Sequence, residues 1–340
     1  MQNRNETQKG YRGGKRRHHP MSLACGLAVG IIALVPANAP AQGIPSTIWS
    51  SSGAQYDTGF APSVAVSGVV VVEVHQAGTG VGPLWYHTGK IQENGTVVWA
   101  AEVFQFENGI SPSVAISGDT VIEVHQAGTG VGPLWYRTGK ISATGTVTWS
   151  KNAFQYDNGI VPSVAVSGQT IVEVHQGGSG VGPLWYHAGE IQTNGTVKWD
   201  ASPFVYDQGI QPSVAVAGAT VLEVHQGGTG VGLLYCHTGE IQANGTLAWA
   251  TSAFSYDSGI LPSVAVSGPE IAEVHQGGTG FGPLWYHSGG LQYDGTAGFI
   301  VPFSYDTGVA PRVAVAGPTI LEVHQGGTGV GPLWYRTAAY

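Results

Sequence analysis

Charge is scarce in this chain. Asp, Glu, Lys and Arg make up 10% of its 340 residues, against about 25% in an ordinary soluble domain. Cysteine is nearly missing as well: of two, only Cys236 lies beyond the first forty-one residues, which excludes an intramolecular disulfide framework after that point. No apolar stretch approaches the ~20 residues that a membrane-spanning helix needs, so no membrane insertion is expected. What is abundant instead is glycine, at 53 residues, with 10 tryptophans and a hydrophobic content of 42%. That much apolar surface argues against disorder, and the glycines argue for a turn-rich β protein.

Residues 1–41 read as a signal peptide. Arg4, Lys9, Arg12, Lys15, Arg16 and Arg17 form a basic start, Leu23 to Val35 is a short apolar run, and Ala39-Pro40-Ala41 fits small-residue cleavage before Gln42. A secreted or periplasmic protein is expected. Without that segment 7 basic and 20 acidic residues remain, a formal charge of −13. Nucleic acid binding rests on Lys and Arg at phosphates, so nucleic acid is not an expected partner.

The remainder is six copies of one unit. Tyr56-Asp57, Phe106-Glu107, Tyr156-Asp157, Tyr206-Asp207 and Tyr256-Asp257 recur every 50 residues, followed by Tyr305-Asp306 after one deletion. Periods of this size mark solenoids, propellers or arrays. Each unit reads as four short strands: A from Pro62 to Ser67, B from Val70 to Gln76, C from Pro83 to Ile91 and D from Thr96 to Ala100. Asn94-Gly95 before strand D is a strong hairpin signal. The repeats run about 51–100, 101–150, 151–200, 201–250, 251–299 and 300–340. The last lacks strand D, and residues 42–50, with Ile48-Trp49 aligned on Val98-Trp99, supply a lone one. The expected fold is therefore all-β: a six-bladed β-propeller of four-stranded blades over residues 42–340, closed by an N-terminal strand that completes the last blade.

All ten tryptophans fall at two repeat positions. Strand C carries Trp85, Trp135, Trp185, Trp285 and Trp334, with Tyr235 in the remaining copy; strand D carries Trp49, Trp99, Trp149, Trp199 and Trp249, with Phe299 as the exception. Large rings at fixed depths suit the wedges between blades. The B–C and D–A loops share one rim, and that rim gathers the candidate ligand residues. They are His75, His125, His175, His275 and His324; Gln76, Gln126, Gln176, Gln276 and Gln325; Asp57, Asp157, Asp257 and Asp306; His87; and the strand C tryptophans. An aromatic platform beside carboxylate, amide and imidazole groups suits a sugar, whose C–H faces stack while its hydroxyls are hydrogen-bonded.

Each of these groups also has a purely structural use. Glu73 and His75 share a strand face, where they could hydrogen-bond to satisfy buried polar atoms, contact a ligand, or form an acid/base or metal pair. Tyr56-Asp57-x-Gly59 reads as a turn leading into strand A. The loop from Ala77 to Gly82 joins two strands with no helix after it, so it lacks phosphate-loop geometry. No zinc spacing or catalytic signature is present, and no metal, cofactor or catalysis is expected. An enzyme would need one copy with a distinctive residue at the centre, and on strand A only Arg312 breaks the pattern.

The run Pro62-x-Val64, Glu73-Val74, Leu84-Trp85-Tyr86 and Trp99 resembles the repeats of tectonin-type and Photorhabdus-type bacterial propeller lectins; Aleuria-type fucose lectins are similar in having six blades. The resemblance implies glycan sites in grooves between blades with an aromatic wall, carried here by Trp85 and its copies. The Tyr235-Cys236 copy departs from the pattern, so its site is expected to be weak or dead. The expected activity is multivalent glycan binding without catalysis. The alternatives are a structural or interaction propeller that docks an envelope or matrix protein, and, last, a propeller hydrolase.

Overall fold

The computed structural model describes residues 47–340 except 143, 201, 293 and 294. The signal-peptide expectation lies outside the described residues. Within them every regular element is a strand. In chain order these are β1 (Ile48–Trp49), β2 (Ala54–Ser67), β3 (Val70–Gln76), β4 (Gly82–Ile91), β5 (Val97–Trp99), β6 (Phe104–Ser117), β7 (Thr120–Gln126), β8 (Gly132–Ile141), β9 (Val147–Trp149), β10 (Phe154–Ser167), β11 (Thr170–Gln176) and β12 (Gly182–Ile191). The same four-strand cycle continues through β13 (Val197–Trp199), β14 (Phe204–Ala217), β15 (Thr220–Gln226), β16 (Gly232–Ile241), β17 (Leu247–Trp249), β18 (Phe254–Ser267), β19 (Glu270–Gln276) and β20 (Gly282–Leu291). It ends with β21 (Ala297–Phe299), β22 (Phe303–Ala316), β23 (Thr319–Gln325) and β24 (Gly331–Ala339). The result is a closed β-propeller ring of repeated strand units.

Valine-rich β3 and its copies are covered on both faces. Val71, Val72 and Val74 are fully buried, as are their counterparts in β7 and β11, which is what a near-continuous β-branched run requires. The turn from β2 to β3 passes through Gly68 at φ 59°, a left-handed position that glycine takes without Cβ strain.

The strand preceding each β3-type strand corrects one expectation. The sequence reads it as six residues entered from a loop, yet β2 spans fourteen and belongs to two units at once. Ala54 to Gly59 pairs with β24, and Phe60 to Ser67 pairs with β3. The switch falls at Ala61, whose φ is +49°. Ser111, Val161, Gln211, Leu261 and Ala310 repeat the left-handed turn in the other copies. Tyr56 and Asp57 thus sit in a strand whose ladder is supplied by the preceding unit, not in a turn.

Closure follows the same pairing rules as every internal junction. β1 pairs with β24 through Ile48↔Ala339 and Trp49↔Ala338. Tyr335 Oη donates to Val97 O at 3.3 Å, as Tyr86 Oη does to Val147 O between the first two copies. Val64, Val71 and Val97 of the first copy share one apolar cluster with Ala314, Leu321 and Val323 of the last.

The strand D aromatics fill the wedges. Trp99 stacks on Tyr56 with centroids 4.4 Å apart, Trp149 on Phe106 at 4.7 Å, and Phe299 on Tyr256 at 4.6 Å. Tyr86 then meets Trp149 edge-on at 5.7 Å. These offset and T-shaped arrangements are the favoured ones for aromatic quadrupoles.

Candidate functional site

Beneath the rim each copy holds a buried acid–imidazole chain. Glu73 and His75 both point off β3 to one side, where His75 Nδ1 lies 3.0 Å from Glu73 Oε2. The carboxylate is fully buried and the ring is 3% exposed. The same 3.0–3.1 Å pair recurs at Glu123–His125, Glu173–His175, Glu223–His225, Glu273–His275 and Glu322–His324. Burial disfavours the imidazolium, but the charge and hydrogen bond of Glu73, helped by Asp57, hold the His75 pKa above its ordinary value. Gly59 and its copies make room for the ring: a Cβ on Gly159 would lie 2.5 Å from His175 Cδ2.

In the fifth copy a tyrosine closes the inner end of the chain. Tyr256 Oη donates to Glu273 Oε1 at 2.9 Å. Burial, then the Glu73 charge, pushes the Tyr56 hydroxyl pKa well up. At the outer end Asp57 faces the second imidazole, His87, whose Nδ1 is 3.2 Å from Asp57 Oδ2. Burial opposes ionisation of Asp57, yet the His87 contact and the Thr58 N–H keep its pKa below the usual aspartate value.

The sequence places His87 among the ligand residues, and the structure puts it to another use. The ring is 4% exposed, and its Nε2 lies 2.7 Å from Ala100 O, so it clamps the segment between β5 and β6. His237 and His287 reach Ala250 O and Ile300 O in the same way, at 2.7 and 2.6 Å. In the second and sixth copies arginine does this job. Arg137 donates to Ser150 O and Phe106 O and pairs with Glu107; Arg336 donates to Ser50 O and Tyr305 O and pairs with Asp306.

Asp257, His275 and His287 bring one carboxylate and two imidazoles within 4.8 Å of one another, a set that could hold a metal ion. In the second and sixth copies this second histidine is replaced by Arg137 and Arg336, which pair with the acid. A guanidinium can do that and cannot ligate a metal.

The glutamines are buried and turned to the backbone. Gln76 Oε1 accepts the Ser111 N–H of the next copy at 2.7 Å, while its amide nitrogen donates to Gly78 O at 2.9 Å. Gln126, Gln176 and Gln276 reach Val161, Gln211 and Ala310 at 3.1–3.2 Å, and Gln325 reaches Ala61 at 2.7 Å across the closure. Each one therefore stabilises the left-handed residue of its neighbour. Asp57, His75 and their copies lie beneath the rim; the glutamines belong to the frame.

The strand C tryptophans are half-buried in all five copies. Trp135 opens on a groove of about 620 Å³ bordered by Glu107, Asn108, His125, Lys151 and Phe154. Phe154 was not anticipated. It is 38% exposed, and Phe104, Phe204, Phe254 and Phe303 repeat it at 39–49%. The 50-residue beat of these phenylalanines was the available signal, hidden because the first copy has Ala54. In the divergent copy Tyr235 instead stacks on His225 at 5.5 Å, and the next residue, Cys236, is buried.

No protein family and no curated protein matches the sequence. Solved structures do match the fold. YjhT aligns at a TM-score of 0.51 with 10% identity, covering 84% of this chain and 98% of its own. Trypanosoma rangeli sialidase in complex with sialic acid aligns at 0.51 with 9% identity over 86% of this chain. A Lactobacillus plantarum protein aligns at 0.49 with 12% identity, covering 78% of this chain and 79% of its own. The chain spans 59% of the sialidase's length. At such identities the likeness establishes the fold alone. It does correct one expectation: a sialidase is an enzyme on this fold, so a repetitive propeller is no ground for excluding catalysis.

Proposed function

We propose that this chain is an exported, multivalent carbohydrate-binding propeller: six four-stranded blades, the last completed by β1, each presenting a groove on one rim. The observation that carries this reading is the pairing of two aromatic surfaces, the half-buried Trp135 and the exposed Phe154, across a groove edged by Glu107, Asn108, His125 and Lys151. Aromatic faces take the C–H surfaces of a sugar, and the polar edge takes its hydroxyls. Shallow sites bind weakly one at a time, and repetition around a ring raises avidity without new contacts. The repeat-level resemblance to tectonin-type lectins supports the same reading.

The test is a glycan array with the chain starting at Gln42, beside a variant with Trp85, Trp135, Trp185, Trp285 and Trp334 changed to alanine and shown by circular dichroism to be folded. Binding that disappears in the folded variant supports the reading; a silent parent on a broad array overturns it. One observation favours a second reading. Val81, Val131, Val181, Val231, Phe281 and Val330 stand 51–56% exposed at the loop tips, which suits docking to an envelope or matrix protein.

A further inference from the structure

Arginine occurs three times in residues 47–340, at 137, 312 and 336. Two of the three face carboxylates. Arg312 does not. It projects from β22 into the cavity on the ring's axis, about 280 Å³ in volume, which the six long strands enclose with a proline, a serine and a valine at nearly every turn. Among the described residues no aspartate, glutamate, lysine or histidine lines that cavity. The guanidinium donates to Pro311 O at 3.0 Å, which uses one of its five N–H groups. Burial pulls its pKa down to about 10, so it is charged at neutral pH.

The five serines beside it are arranged as donors. Ser63 Oγ accepts the Val114 N–H at 3.2 Å, and Ser113, Ser163, Ser213 and Ser263 accept Val164, Val214, Val264 and Val313 in the same way. An Oγ that accepts from backbone keeps its own proton to give, and these side chains line the cavity. Arg312 stands where the sixth serine would accept the Val64 N–H, a role a guanidinium cannot fill. The substitution gives up one link of an otherwise repeating ring and places a lone cation among hydroxyl donors. Arg312 is half-buried, a charge drawn partly out of water gains from a partner, and the described residues around the cavity offer no anionic one.

We propose that the axial cavity is a binding site for one small oxyanion or carboxylate, held by the Arg312 guanidinium and the surrounding serine hydroxyls. Its volume, about 280 Å³, lies just below the roughly 300–1,000 Å³ of ligand cavities, which favours a compact anion over an oligosaccharide. The site is separate from the rim grooves and does not depend on what they bind.

The experiment is isothermal titration calorimetry of the purified chain with sodium sulfate and with sodium formate in a low-chloride buffer, on the parent and on R312S and R312K. Serine occupies this position in the other five copies, so R312S suits the fold; a melting curve confirms it. The parent is expected to bind one anion per chain. R312S should weaken that binding by about ten- to a hundredfold, the worth of hydrogen bonds to a charged group. R312K, which keeps the charge without the planar fork, should fall between. Comparing variants in the same salt removes the general stabilising effect of sulfate. Absence of saturable heat in the parent, or unchanged binding in folded R312S, would overturn the proposal.

Discussion

Replacing a single glutamine tests whether the ring is closed by the same forces that join its units. In Q76L the side chain keeps its bulk while the Ser111 N–H loses its acceptor. That N–H belongs to a residue held at φ +50° and partly buried, so water replaces the acceptor poorly. An orphaned buried donor costs about 1–3 kcal/mol. Gly78 O, the amide's other partner, sits on a more open loop and can be rehydrated. For a chain of this size each kcal/mol lowers Tm by about 2–4 °C, so Q76L should melt roughly 2–10 °C below the parent. The decisive variant is Q325L, whose partner Ala61 is 264 residues away in sequence. In a closed ring Q325L costs as much as Q76L, because its latch is geometrically the same. Scanning calorimetry of both proteins measures the difference. A neutral Q325L beside a destabilised Q76L would refute closure.

Other outcomes follow from the same geometry. W99A removes a ring stacked on Tyr56 in a wedge and should cost about 3–5 kcal/mol in urea unfolding, whereas W135A, at the half-buried groove wall, should cost clearly less. V161G relieves a β-branched residue at φ +51°; left-handed strain of about 1–2 kcal/mol outweighs glycine's entropy of about 0.5–1, so a slight rise in Tm is expected, and a fall would assign packing to that side chain. The pH profile has a defined sign. The six imidazoles His75, His125, His175, His225, His275 and His324 are raised above their ordinary 6.5 in the folded state, so their stabilisation is complete below that value and lost as pH rises through the folded pKa. Asp57 and Asp157 are lowered from 3.8, so theirs is complete above that value and lost on acidification through the folded pKa. Tm measured by fluorimetry should peak between about pH 4 and 6.5; a profile rising from pH 6 to 9 would contradict the ion pairs.

Strands β3 and β4 are legible in the sequence almost to the residue, because unbroken valines and a Gly-bounded aromatic run leave few alternatives. The first half of β2 is not. Asp57 and Gly59 are turn formers by local preference, and what makes them strand is the ladder offered by β24, a long-range choice that local patterning does not encode. Gln76 is misread for a related reason: its partner lies 35 positions ahead in another unit. The tryptophans show the opposite case. Their two positions look alike in sequence, yet Trp99 is walled in by Tyr56 and Tyr335 while Trp85 is left at the rim.

The alternation of histidine and arginine at positions 87, 137, 187, 237, 287 and 336 has a physical logic tied to the closure. In each copy this residue faces the acid of the long strand, and in most it also grips the carbonyl that follows strand D. It thereby fixes the segment that forms one wall of the rim groove. In three copies the clamp is an imidazole with one ring nitrogen on that carbonyl. In the sixth, strand D is β1, brought from the far end of the chain, so no short hairpin holds it in place and joining it costs more loop entropy than the local hairpins do. There the clamp is Arg336 on Ser50 O, a permanent cation with more donors. An R336H variant should therefore lose more stability at pH 8 than at pH 5.5, while R137H, whose strand D is a local hairpin, should show the smaller difference; equal pH dependence in the two would show that the seam places no special demand on its clamp.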